Sequence, residues 1–380
     1  MAENGTQAAT QGRDWKPIVA WVCFGLAMLV ILASSLTVWV KRQVLDTDNW
    51  VDASSQLLTD QQVRQALSVY LVDQVYANVD VAGELSAAFP PRLKPLAAPV
   101  AGALRDVGQR TVNNVLAQPA VQTVWQDVNR RAHETFTRLI NEDTSGRIQA
   151  QGNEVILDLQ PLVQRVKDRL GISGSLRPDA GKIRIMTAQN LDTARTAVKA
   201  VKWVSMLASI LAIALLVAAM WLARGRRRML LWIGVGLVAI GLALLIIRRV
   251  AGNLVVDGLT SSESIRPAVS DVWLISTSLL HYMAIALIVY GALAIVGAVL
   301  AGPTRAARWA RGVLAPVFHR PVWTYAGLGF ILLLAIWLGP NNSGRGWLAT
   351  LVLLGLVVLG VEVLRRQTVA EHPEAAPAPT

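Results

Sequence analysis

The sequence predicts a mainly α protein: a six-helix transmembrane bundle with a helical extracytoplasmic domain that contains a small β-hairpin. Three observations carry this. There are six unbroken apolar stretches, arginine clusters that alternate across them, and a long charged segment of three-to-four periodicity between the first two stretches. A hydrocarbon core about 30 Å thick takes about 20 apolar residues of helix at 1.5 Å each. The stretches at 17–40, 203–223, 229–247, 272–301, 322–338 and 347–364 approach or exceed that length, and none carries a charge in its middle. A soluble helix keeps a polar face, whereas Leu211–Ala219 and Leu351–Val358 are apolar on every side.

Composition points the same way, with 53% apolar and 16% charged residues. The net charge of +11 would suit a nucleic-acid binder if it were gathered on one face. It is not. Segment 41–202 holds 20 basic residues against 17 acidic ones, and most of the excess lies in the tails and short loops. That is the positive-inside pattern of a membrane protein, so the bilayer is the expected partner and nucleic acid is not. The only cysteine, Cys23, lies in the first stretch, which excludes a disulfide within one chain.

Threading six helices puts Arg13 and Lys16, the Arg224–Arg228 cluster, Arg305/Arg308/Arg311/Arg320 and Arg365-Arg366 on one side. That side is read as the cytoplasm of a cell-membrane protein with both termini inside. Residues 1–16 and 365–380 are expected to be disordered cytoplasmic tails. Lys41-Arg42 and Arg248-Arg249 fall on the outer side, at helix ends where long side chains snorkel to headgroups. Trp15, Trp39, Trp203, Trp221, Trp232, Trp273, Trp323, Trp337 and Trp347 sit near stretch ends, where an indole prefers the interface. The first stretch is expected to stay as an anchor, since it enters Val38-Trp39-Val40-Lys41-Arg42 without a small-x-small cleavage site.

Residues 41–202 are enough to bury a core of their own. Thr59-Asp60-Gln61-Gln62 reads as a capping box, followed by a stripe of Val63, Leu67, Tyr70, Leu71 and Val75. Phe89-Pro90-Pro91 breaks the chain. A second helix over 98–116 carries Val100, Leu104, Val107, Thr111 and Val115, and Pro119 starts a third of about 22 residues. Residues 147–151 and 154–159 then flank Gly152-Asn153 as a tight hairpin, with Ile183-Arg184-Ile185 as a further strand. Pro161 and Gly171 bound a short helix between them. From Leu191 a helix runs without a breaker into the second stretch, and Ser261–Ser264 with Pro267 start the fourth helix outside the membrane.

No phosphate loop, nucleophile elbow or zinc signature occurs, and Asp46/Asp48/Asp52 lack the glycine and glutamate of a calcium loop. Asp46, Asp48 and Asp52 are therefore read as loop and cap residues. The candidate polar positions are Trp125, Asn129, Arg130 and His133 on the third helix, and His281 in the fourth stretch. Asn129 and His133 stand one turn apart, but asparagine is a poor zinc ligand, so a structural polar network is favoured over a metal site. His281, with Ser276, Thr277, Ser278 and Tyr282, suits an interhelical hydrogen-bond site or, alternatively, the lining of a solute or proton path. Gly234, Gly236 and Gly241 are read as packing positions. No cofactor and no catalytic residue is expected.

Asn49-Trp50, Trp125-x3-Asn129-Arg130-x-Ala132-His133, Val155–Leu162 and Gly302-Pro303-Thr304-x3-Arg308 resemble a family of actinobacterial multi-pass integral membrane proteins of unknown function. The resemblance implies one large extracytoplasmic domain between the first and second transmembrane helices. The expected function is a non-enzymatic envelope protein whose outer domain binds a protein, a lipid or wall material. The alternative is a transporter or channel component with a solute path between helices 4–6.

Overall fold

The structure, a computed structural model, describes residues 15–141, 154–158, 182–260, 263–305, 307–309, 312 and 329. It is mainly α. The helices are α1 (Lys16–Leu45), α2 (Thr47–Thr59), α3 (Gln61–Asn78), α4 (Val81–Ala88), α5 (Ala97–Leu116), α6 (Pro119–Asn141), α7 (Ala188–Leu222), α8 (Arg226–Leu259), α9 (Arg266–Ser276) and α10 (Ser278–Leu300). Two strands, β1 (Glu154–Asp158) and β2 (Lys182–Thr187), pair antiparallel with Val155 opposite Met186 and a register shift after Val155. No tight hairpin is seen among the described residues. The partner of β1 lies far along the chain rather than across Gly152-Asn153, and residues 147–151 lie outside the described residues, as does the short helix expected between Pro161 and Gly171.

Among the described residues four helices, not six, are long and apolar enough to cross a membrane: α1, α7 from Thr193, α8 and α10. They mark a membrane protein. The stretches at 322–338 and 347–364 lie outside the described residues apart from residue 329. The chain divides into two compact units, one of Met1–Leu36, Val204–Leu245 and Tyr282–Thr380, the other of Thr37–Trp203 and Ile246–His281.

In the first unit the helices close on small residues. A β-carbon at Gly291 would stand 2.6 Å from the Gly234 carbonyl oxygen, and one at Gly241 would stand 2.7 Å from the Ala284 oxygen. Only glycine lets the backbones of α8 and α10 approach so far. α1 and α7 share a hydrogen bond between the Ser34 and Ser209 hydroxyls, 3.0 Å apart. Ala20, Ala219, Met229 and Ile233 form a buried cluster beside Trp21, whose ring meets Trp232 edge-on at 5.7 Å. Arg227 Nε donates to the Ala298 carbonyl at 2.8 Å, near the end of α10.

In the second unit α2 packs on α6, α3 and α4 on α5, and α9 on both α2 and α3. Three aspartates start its helices. Asp46 accepts from the Asp48 and Asn49 amides, Asp60 from Val63 and Asp80 from Gly83. The capping box read at Thr59 is thereby corrected: Thr59 ends α2, its hydroxyl donating to Gln56 O, and Asp60 caps α3. A carboxylate also complements the positive end of the helix.

The stripes read for α3 and α5 are also not their buried faces. Ser68 and Val72 are buried on α3, and Ala97 and Ala101 on α5, while Tyr70, Leu71, Val75, Leu104, Val107 and Val115 are exposed. Small residues decide this. Gly108 lies against Val72, and the Tyr76 hydroxyl donates to Ala101 O at 2.9 Å, so the two helices meet along their Ala/Gly seam.

The fourth helix, expected to run unbroken from about Pro267 to residue 301, divides at Thr277. The carbonyls freed by the break are recaptured locally. Arg248 on α8 donates through Nη2 to Leu274 O at 3.0 Å and through Nε to Thr277 Oγ1 at 2.8 Å. Thr277 is only 1% exposed, and its hydroxyl donates in turn to Trp273 O.

Candidate functional site

The candidate polar positions of α6 gather around the end of α1 and the start of α2. Pro119 starts α6 without an orphaned amide, and one face of the helix then presents Trp125, Asn129 and His133 at four-residue spacing. His133 is 5% exposed and its ring is fully engaged. Nε2 lies 3.0 Å from the Val44 carbonyl oxygen, and Nδ1 lies 3.0 Å from the Thr47 hydroxyl. A carbonyl can only accept, so Nε2 carries a proton, and in the neutral ring Nδ1 accepts from Thr47. Trp50 stacks on the ring with centroids 5.1 Å apart and planes 19° apart, and Phe136 lies tilted at 6.3 Å.

The neighbours extend the clasp. Trp125 Nε1 donates to Ser54 O at 2.9 Å, tying the middle of α6 to α2. Arg130 Nη1 donates to Asp48 Oδ1 at 2.7 Å across two exposed side chains, and that hydrogen bond raises the guanidinium pKa further. Asn129 turns back on its own helix, its Nδ2 donating to Trp125 O at 2.9 Å. Asp52 accepts from Gln56.

Both ring nitrogens of His133 are committed to α1 and α2 in this arrangement. The constellation fixes the α1–α2 corner against α6. His281 is not part of it. Its backbone amide bonds Thr277 O at 3.1 Å, which places it one turn beyond the helix break near Arg248.

Sequence reasoning singled out the α6 residues but not the partners that give them their role. Val44 contributes a backbone carbonyl, which leaves no trace in a side-chain pattern, and Thr47 is an ordinary helix-start residue. Trp50 was visible only as part of a motif. Arg248 was read as a snorkelling end residue, and its bonds to Leu274 and Thr277 came from a segment expected to be continuous helix. No protein-family model, no curated protein and no solved structure matches the chain.

Proposed function

We propose that this chain is a non-enzymatic integral membrane protein of the cell envelope, with six spans, both termini in the cytoplasm and an outer domain that binds a protein, lipid or wall partner. The observation that carries this reading is the make-up of the second unit. Two separate stretches of chain, Thr37–Trp203 and Ile246–His281, contribute to it, and α9 packs on α2 and α3. The six-span threading puts these two stretches on one side of the membrane, as their packing requires. The balanced charge of segment 41–202 and its exposed helix faces suit a binding module.

A transporter or channel component is the second reading, favoured by Arg248, Thr277 and His281 at the ends of apolar helices. Weighing against it, Arg248 bonds the Leu274 carbonyl and the Thr277 hydroxyl, where it holds a helix break together.

Topology is tested by cysteine labelling in a Cys23→Ser background, with Gln118→Cys and Thr368→Cys as probes. An impermeant maleimide should modify the first in intact cells and the second only after lysis. Function is tested by affinity capture from native membranes with the intact chain, with His133→Leu/Trp125→Ala, and with His281→Ala. Loss of the captured partner in the clasp variant and its retention with His281→Ala supports the outer-domain reading. The opposite pattern replaces it with the transporter.

A further inference from the structure

The second unit carries a groove that the α6 clasp does not use. It has a volume of about 770 Å³ and is lined by α3, α5 and the turn at Ser264 and Ile265 that precedes α9. That size lies within the range of small-ligand pockets, roughly 300–1,000 Å³. Its walls are the flanks of two helices, whose backbone amides and carbonyls are spent on their own helices. Along these two walls side chains alone can therefore read a ligand.

Four of those side chains are amides, set among aliphatic and aromatic surface. Gln62, Gln65, Gln109 and Asn113 each offer an amide that both donates and accepts, and Asp106 adds an acceptor. Asp73 is held by Arg105 through Oδ1, at 2.9 Å from Nε and 2.5 Å from Nη2, so its charge is balanced in place. Arg110 balances the formal charge of Asp106 within the same lining. The groove thus calls for neither an anion nor a cation. Tyr70 is 59% exposed and stands at the edge as a flat apolar face with a hydroxyl, while Val69 and Ile265 supply exposed aliphatic surface.

One atom makes the demand specific. Asn113 Oδ1 is shielded from solvent and makes no hydrogen bond. A buried amide oxygen of that kind is a standing desolvation cost, which a turn of the Asn113 side chain towards a donor in the groove would remove. Amides and carboxylates that ask for groups able both to donate and to accept, beside an aromatic face, match a chain of hydroxyls on apolar rings. A peptide backbone is the weaker fit, since the helical walls offer it no strand edge.

We infer that the α3/α5 groove binds an uncharged saccharide, with Gln109, Asn113, Asp106 and Asp73 bonding its hydroxyls and Tyr70 lying against a ring. The assignment rests on the reading of the outer domain as a binding module and names the ligand class and place.

The test uses the full chain in lipid nanodiscs prepared without glycoside detergents, which would themselves compete. The probes are neutral linear tetrasaccharides of glucose, mannose, galactose and N-acetylglucosamine, followed by saturation-transfer NMR and calorimetry. At least one should saturate the protein below about 5 mM. Asn113→Leu and Gln109→Ala should each weaken it at least about tenfold, and Asn129→Ala, on α6 outside the groove, should leave it unchanged. Melting curves that match the parent show the variants folded, and a variant that fails to fold is replaced by Asp106→Asn with the same expectation. Absence of binding by all four probes, or binding that ignores every groove variant, overturns the assignment. Displacement of a bound tetrasaccharide by a mixed dodecapeptide pool, with no peptide effect on Asn113→Leu, turns it towards a peptide groove and equally overturns it. If partner capture depends on the outer unit while no saccharide binds, only the groove assignment falls. If capture is independent of that unit, the outer-domain reading falls, and the groove assignment is decided by the saccharide titration.

Discussion

The Trp273 indole donates to the Arg248 carbonyl oxygen at 3.1 Å, and Gly252, one turn further along α8, leaves room for that ring. Arg248 is held from both ends, since its guanidinium bonds Thr277 Oγ1 and Leu274 O while its carbonyl receives the indole. A β-carbon at Gly252 would come within 2.8 Å of Trp273 Cδ1, closer than side-chain carbons pack. The α8–α9 contact therefore depends on one glycine.

Gly252→Val is expected to lower stability by about 1–3 kcal/mol, the cost of overpacking a close contact. Thermal unfolding in nanodiscs measures this. Gly258→Ala is the control, because nothing lies within 4 Å of its β-carbon position. Equal melting temperatures for Gly252→Val and the parent would show that Trp273 moves aside without cost.

His133→Leu keeps an apolar partner for Trp50 but strands the Val44 carbonyl and the Thr47 hydroxyl at a part-buried site. The expected loss is about 1–3 kcal/mol, with His133→Gln losing less because an amide can satisfy one of the two groups. Partner capture should follow the melting temperature in both variants. Lost capture at an unchanged melting temperature would give His133 a direct role instead.

Arg130→Gln should cost less than about 1 kcal/mol and should cost less still at high salt, because the Arg130–Asp48 pair is largely exposed. A salt-insensitive loss would contradict an exposed ion pair.

Asp271 on α9 gives the pH dependence its sign. Burial first, and the Asp60 carboxylate second, hold its carboxyl above the ordinary value. The folded state then holds this proton more tightly than the unfolded chain, so ionisation weakens the fold. The penalty is absent at low pH and develops as pH rises through the folded value. Asp271→Asn should raise the melting temperature at about pH 7 and leave it unchanged at about pH 3, below both values. A rise of equal size at both pH values would assign the gain to the amide itself.

Much of the helical layout could be read from the chain. Pro119, the 98–116 periodicity and the unbroken run from Leu191 gave α5, α6 and α7 close to their observed bounds. Glycines at 234, 236 and 241 were read as packing positions and lie against neighbouring helices. The face of α3 could not be read, because its partner α5 closes through Ala101 and Gly108, and a periodicity of large apolar residues is blind to a seam of small ones. The break at Thr277 was equally hidden. Threonine in an apolar run is no breaker, and the stabilising group, Arg248, comes from another helix. The groove residues escaped notice because scattered glutamines on helices read as ordinary solvated surface until α3 and α5 are set side by side.

The seat of α9 on α2 and α3 also orders the protein's birth. A ribosome that has finished Thr59 needs about 10–40 s to reach Arg266 at ordinary synthesis rates. During that interval α7 and α8 must be handed to the insertion machinery, and only then does α9 emerge to cover its neighbours. The nascent second unit is therefore a late-maturing client, completed only after the two preceding spans have been made. A stall or misinsertion at α7 or α8 would leave α2 and α3 uncovered for chaperones and proteases to find.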